Sequence, residues 1–166
     1  ERAVAAGADG LVLLTAGAGG QTGWMNPFAF VRAVRAWFDG PIVLAGGIAD
    51  GASVWAALAL GCDLAYIGTG FIPTREGLAS AAYRQAVLAA SLDDVELFMQ
   101  DTGIPASMLR TAATPPPAER DPLTPPSDFS AGHSVSLTNA EVTVAELVAR
   151  LRAEFGTARA ASLGAA

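Results

Sequence analysis

Three short apolar runs constrain this chain more than any other feature. "LVLL" (11–14), "PIVLA" (41–45) and "LAYIG" (64–68) lack the polar alternation of a half-solvated strand, and each is followed by glycine within a few residues. Such runs suit strands covered on both faces, as in a parallel sheet. Between them lie "PFAFVRAVRAW" (27–37) and "GASVWAALAL" (51–60). The first places Phe30, Val31, Val34 and Trp37 at helical spacing behind Asn26 as cap and Pro27 in the first turn. The second has Ser53 as a cap for Val54 through Leu60. Strand, helix, strand, helix, strand predicts a parallel α/β sheet with right-handed crossovers.

Beyond residue 70 the pattern turns helical. Helices are expected over 75–90 and 92–100, and a turn with a short helix over "GIPASMLRT" (103–111). "TPPPAERDPLTPPSD" (114–128) carries six prolines, which exclude regular structure. Residues 142–155 form an amphipathic helix with Val144, Leu147, Val148 and Leu151 on one stripe, and 156–166 should fray. The opening "ERAVAAGADG" reads as the last turns of a helix, as though cut from something longer.

Three strands cannot close a (β/α)8 barrel, which takes eight strands and about 250 residues. The fold class expected is therefore α/β: the last three parallel strands of a TIM-type (β/α)8 barrel, with a helical, Pro-rich C-terminal tail. Residues 1–90 would be partial barrel with a phosphate site, 91–130 a helical and Pro-rich segment, and 131–166 a loop and helix packing back on the barrel.

At 166 residues and 52% apolar content the chain can bury a core. A net charge of -6, no lysine and ten scattered arginines argue against a nucleic-acid partner. No apolar stretch approaches the roughly 20 residues that cross a bilayer, and no signal segment opens the chain, so the expected location is cytoplasmic. Cys62 is the only cysteine, which rules out an internal disulfide and suits a buried structural thiol. No metal-ligand spacing occurs.

The chemistry-bearing candidates sit on glycine loops. "AGGIADG" (45–51) and "GTGF" (68–71) follow consecutive strands, where parallel α/β proteins bind ligands. Gly46, Gly47, Gly68 and Thr69 can turn their N–H groups to an anion, with the positive end of the next helix nearby, which describes a phosphate cradle sized for a nucleotide monophosphate. Neither loop is a dinucleotide fingerprint or a P-loop. One strand earlier, "GAGGQTG" (17–23) displays Gln21, whose amide does not titrate and must act by hydrogen bonding. His133, the only histidine, is a subordinate candidate without an Asp or Cys partner in sequence. Asp50 is expected to cap a helix, Arg75 and Glu76 to lie on a solvated helix start, and Trp24, Met25 and Phe28 to be buried beneath the following helix, with the wall of an apolar pocket as the alternative.

Together, "GADGLVLLTAGAGGQTG", "GPIVLAGGIADG", "ALALGCDLAYIGTGFIPTRE" and "FSAGHSVS" resemble the C-terminal half of the nitronate monooxygenases, the 2-nitropropane dioxygenase-like flavoproteins, with flavin-dependent enoyl-ACP reductases as relatives in motif. The likeness implies an FMN-binding barrel, with the FMN phosphate held by backbone around Ala45, Gly46 and Gly47 and by Gly68 and Thr69. Gly19 and Gly20 would lie near the flavin ring. The implied reaction is oxidation of an alkyl nitronate with O2, with a small-molecule substrate and a second copy or a complementing N-terminal half as partner. Gln21 stands where the family carries a histidine, and Gly70 replaces an arginine of the family motif. An NAD(P)H-dependent FMN reductase of the enoyl-ACP type and a non-catalytic barrel fragment are the alternatives.

Overall fold

The computed structural model describes residues 1–164. A short helix α1 (Arg2–Ala5) leads into β1 (Leu11–Leu14). A two-residue strand β2 (Gly20–Gln21) follows, then helix α2 (Pro27–Arg35), β3 (Ile42–Ala45), α3 (Gly51–Leu60) and β4 (Leu64–Tyr66). Strands β1, β3 and β4 form a parallel sheet in the order β1-β3-β4, as expected.

Local chemistry starts and stops these elements. Asn26 accepts from the N–H groups of Phe28 and Ala29 at the head of α2, with Pro27 in the first turn. Asp50 and Ser53 form a reciprocal capping box at the head of α3, and Gly61 ends that helix at φ 109°, a left-handed cap. At the opposite end of the sheet, Arg35 ties β3 and β4 to α2. Its Nε donates to the Gly61 carbonyl at 2.8 Å, and its guanidinium meets Asp63 at 2.6 Å.

Register divides the sheet into two faces. Leu13 and Leu44 pair toward α2 and α3, where with Val31, Val34, Phe38, Ile42, Ala57 and Cys62 they make the main core. The rows Val12–Val43–Leu64 and Leu14–Ala45–Tyr66 lie on the other face. There Val12, Leu64 and Tyr66 remain about three-fifths exposed, at 60%, 59% and 63%. The helices therefore cover only one face of a sheet type that is normally covered on both.

The tail departs from the helical expectation. Only Ala81–Ala89 of 75–90 is helical (α4), because Ser80 caps it by accepting from Tyr83 N–H. Residues 92–100 and 103–111 supply β5 (Val95–Met99) and β6 (Pro105–Leu109) in place of helices. These strands pair antiparallel, and β2 joins the other edge of β6, giving a second sheet in the order β2-β6-β5. Val95, Leu97 and Met99 alternate along one face, and cross-strand pairing overrides the helix preference of Leu, Met and Glu. The Pro-rich stretch contains only a single 3-10 turn, Pro117–Glu119. The last helix, α5 (Val144–Ser162), runs well past residue 156, and packs against α3. Residues 165–166 of the expected frayed end lie outside the described residues. No described helix is long and apolar enough to cross a membrane.

Candidate functional site

A cavity of about 410 Å³ opens at the carboxyl ends of β1, β3 and β4, lined by the glycine loops that follow them. Gly19, Ala45, Gly46, Gly47, Gly68 and Thr69 all line it. Gly46 and Gly47 adopt φ of 125° and 71°, values that L side chains rarely hold. A Cβ on Gly46 would stand 2.6 Å from Thr15 Oγ1, whereas one on Gly47 or Gly68 would meet no protein atom within 4 Å. Thr15 packs beneath the loop, donating through Oγ1 to the Ala45 carbonyl at 2.9 Å.

The backbone amides of Gly46, Gly47, Gly68 and Thr69 donate to no acceptor among the described residues. In a packed protein such amides find partners in the chain, in water or in a ligand. The head of α3, by contrast, is largely closed, with only the Ala52 N–H left without an acceptor among the described residues. Glu154 of α5 takes the Gly51 N–H at 2.9 Å, Asp50 takes that of Ser53 at 2.7 Å, and Ser53 Oγ takes those of Ala49 and Asp50. The expected contribution of the helix end to an anion site is thus already largely met by the protein's own carboxylates.

The tail segment 129–134 crosses over the same loops. Gly132 N–H donates to Thr69 Oγ1 at 3.0 Å, and His133 N–H to the Gly17 carbonyl at 2.9 Å. The approach is so close that a Cβ on Gly132 would lie 2.3 Å from the Gly17 oxygen, and one on Gly19 would lie 2.6 Å from Gly132 N. Gly19 and Gly132 are therefore needed for backbone-to-backbone packing of two loops, while Gly17 holds a left-handed φ of 93° against the His133 side chain. Tyr83 fastens the segment from below, its O–H donating to the Ser130 carbonyl and its ring stacking on Phe129 at 4.9 Å.

Three of the sequence-derived candidates stand apart from the cavity wall. Gly20 and Gln21 pair with Ser107 and Ala106 in the second sheet, where Gln21 is exposed. His133 is exposed at the start of a 3-10 turn (His133–Leu137), beside Gly17. Trp24, Met25 and Phe28 are not buried beneath α2 as expected: Trp24 is 82% and Phe28 61% exposed. Asp50 caps α3 as expected, and Glu76 accepts from the Val144 N–H at the head of α5. Cys62 is buried in the main core, and burial pushes its thiol above the ordinary range. Sequence reading gave no site role to the cavity residues Tyr83, Ser130 and Ser134; the two serines lie within the "FSAGHSVS" motif, and no motif marks Tyr83.

The family model for nitronate monooxygenase matches residues 1–119. The nitronate monooxygenase of Paraburkholderia phytofirmans is 31% identical over 164 residues, which cover 92% of this chain and 42% of that protein. The structure of FabK from Thermotoga maritima superposes with a TM-score of 0.84 at 26% identity, covering 98% of this chain and 59% of that one. A nitroalkane oxidase structure from Streptomyces ansochromogenes gives 0.80 at 27% identity, covering 96% and 55%. The chain thus spans well under two thirds of each of these relatives. With the family model matching most of its length, the chain belongs to the nitronate monooxygenase family of oxidoreductases.

Proposed function

We propose that this chain carries the FMN phosphate site of an oxidoreductase that oxidises alkyl nitronates with O2. Its parallel unit is the C-terminal part of a TIM-type (β/α)8 barrel, in which a complementing N-terminal half covers the exposed face at Val12, Leu64 and Tyr66. The observation that carries this reading is the set of unpartnered amides at Gly46, Gly47, Gly68 and Thr69 around one cavity at adjacent strand ends. The residues fit the group: neutral donors converge on a space that a Cβ on Gly47 or Gly68 would enter without touching protein.

FMN, when bound, supplies electron transfer from the nitronate to O2. The chain's residues do the rest. Gly46, Gly47, Gly68 and Thr69 hold the phosphate, and Gly19 lets the 131–132 backbone pack against the cavity wall. Gln21, exposed on β2 outside the cavity wall, could reach a bound substrate only by hydrogen bonding and moves no proton, so this chain offers no base at that position. A nitronate is already an anion and needs no base, whereas a neutral nitroalkane must first lose a proton. The full-length protein is expected to show a visible flavin band and to consume O2 with ethylnitronate much faster than with nitroethane. Equal rates on the two substrates would refute the reading that Gln21 supplies no base. Anaerobic bleaching by NADPH without nitronate turnover would identify an NAD(P)H-dependent reductase in its place, and a colourless protein would refute the cofactor.

A further inference from the structure

Opposite the strand-end loops, the cavity is walled by Tyr83, Ser130 and Ser134. No charged side chain lines it, so an anion held there meets neutral donors only. Each of these hydroxyls has a different freedom. Tyr83 commits its proton to the Ser130 carbonyl and its ring to Phe129, which makes it a positioning residue for the segment. Ser130 Oγ has only a long 3.4 Å contact with the Tyr83 oxygen. Ser134 is 7% exposed, and its carbonyl receives Thr138 Oγ1 at 3.0 Å, while its own hydroxyl has no partner among the described residues. The residue is buried but lines the cavity, so its uncommitted hydroxyl is available to water or to a ligand held there. Thr69 fixes the spacing: its oxygen accepts the Gly132 N–H, which leaves its O–H to donate into the same cavity.

We propose that Ser134, seconded by Ser130, binds the ligand's phosphate directly, so that side chains from the tail complete a site whose other half is loop backbone. This rests on reading the cavity as a phosphate site. It explains how a phosphate is held where neither lysine nor arginine reaches, and why the tail is pinned to Thr69 and Gly17 by backbone hydrogen bonds.

The test titrates the full chain with FMN and with riboflavin, which has the same ring and no phosphate. Ser134→Ala is expected to weaken FMN about tenfold, as loss of one hydrogen bond to a charged group does, while riboflavin affinity stays within about twofold. Ser130→Ala should act in the same direction more weakly, and Ser134→Thr, which keeps the hydroxyl, should restore FMN binding. Unchanged FMN affinity in Ser134→Ala, or equal losses for both flavins, would overturn the inference while leaving the phosphate-loop reading in place. A wild-type chain that binds FMN no better than riboflavin would overturn both.

Discussion

Glu154, on the last helix, accepts a hydrogen bond from the backbone N–H of Gly51, the first residue of α3, at 2.9 Å across 103 residues of chain. That N–H is one of the donors every helix start leaves unmatched. With Asp50 on the Ser53 N–H, the head of α3 is met largely by the protein's own carboxylates, so an anion bound at the strand ends, as proposed, would rest on the loop amides and hydroxyls.

Glu154→Ala is accordingly expected to lower stability by about 1 kcal/mol and to leave FMN affinity unchanged. A rise in FMN affinity would show that the helix end takes part in phosphate binding after all. Gly51→Ala is the harsher change, because its Cβ would lie 2.0 Å from Phe155 N. Urea melts should register a loss of about 1–3 kcal/mol or more as α5 is forced away from α3.

Thr69 joins the loop after β4 to the tail through its bond from Gly132 N–H, and both groups are buried. Thr69→Val keeps the shape and strands the amide, at a cost of about 1–3 kcal/mol. It also removes a donor from the cavity, so FMN affinity should fall with stability. Thr69→Ser should keep both, and a stable, FMN-binding Thr69→Val protein would contradict the arrangement.

Gly132→Ala tests the loop-on-loop packing directly. Its methyl would lie 2.3 Å from the Gly17 carbonyl oxygen and 2.8 Å from Gly19 N, and neither backbone can yield without separating the loops. A clear drop in Tm and loss of FMN binding are expected. Gly70→Ala is the control: its Cβ comes no nearer than 3.7 Å to Ile67, and Tm should stay within a degree or two, about 0.5 kcal/mol.

Acid should weaken the fold in a defined window. The Ile42 N–H and then Arg35 hold Asp63 below its ordinary range, while the Ser91 N–H and hydroxyl do so for Asp94, and those of Thr143 for Glu146. Because each folded-state value lies below the unfolded one, the unfolded chain binds more protons. The stabilisation is therefore complete above the ordinary carboxylate range, about pH 4, and is lost as pH falls through the depressed values. Tm measured from neutral to about pH 3 should fall, and Asp63→Asn should flatten part of the slope. A Tm that does not move on acidification would contradict these contacts.

Much of the parallel unit was legible because its signals are local. Apolar runs without polar alternation mark strands at 11–14, 42–45 and 64–66, even though helices of this chain cover only one of their faces. Asn26–Pro27 and Asp50 mark helix starts within one turn, and Gly46, Gly47 and Gly68 mark where those strands end. The second sheet was not legible in the same way. "VELFM" and "PASML" suit a helix as well as a strand, and only pairing with each other and with the two residues of β2 decides between them. Gln21 was picked out by its bare surroundings, yet its place on β2 follows from its partner Ala106, 85 positions away in numbering.

The sequence by itself determined the order of strands and helices in the parallel unit, the three glycine loops at one end of its sheet, and the scarcity of cations from which a phosphate site could be built. Each of these is written in periodicity, turn chemistry or composition over a few neighbouring residues. Tertiary structure alone decided which donors stay free. It brought Glu154 to close the head of α3, seated Gly132 on Thr69, and turned Ser130, Ser134 and Tyr83 toward the cavity. Whether a hydrogen-bonding group is satisfied depends on what the whole chain places within about 3 Å of it, and no short window of sequence holds that information.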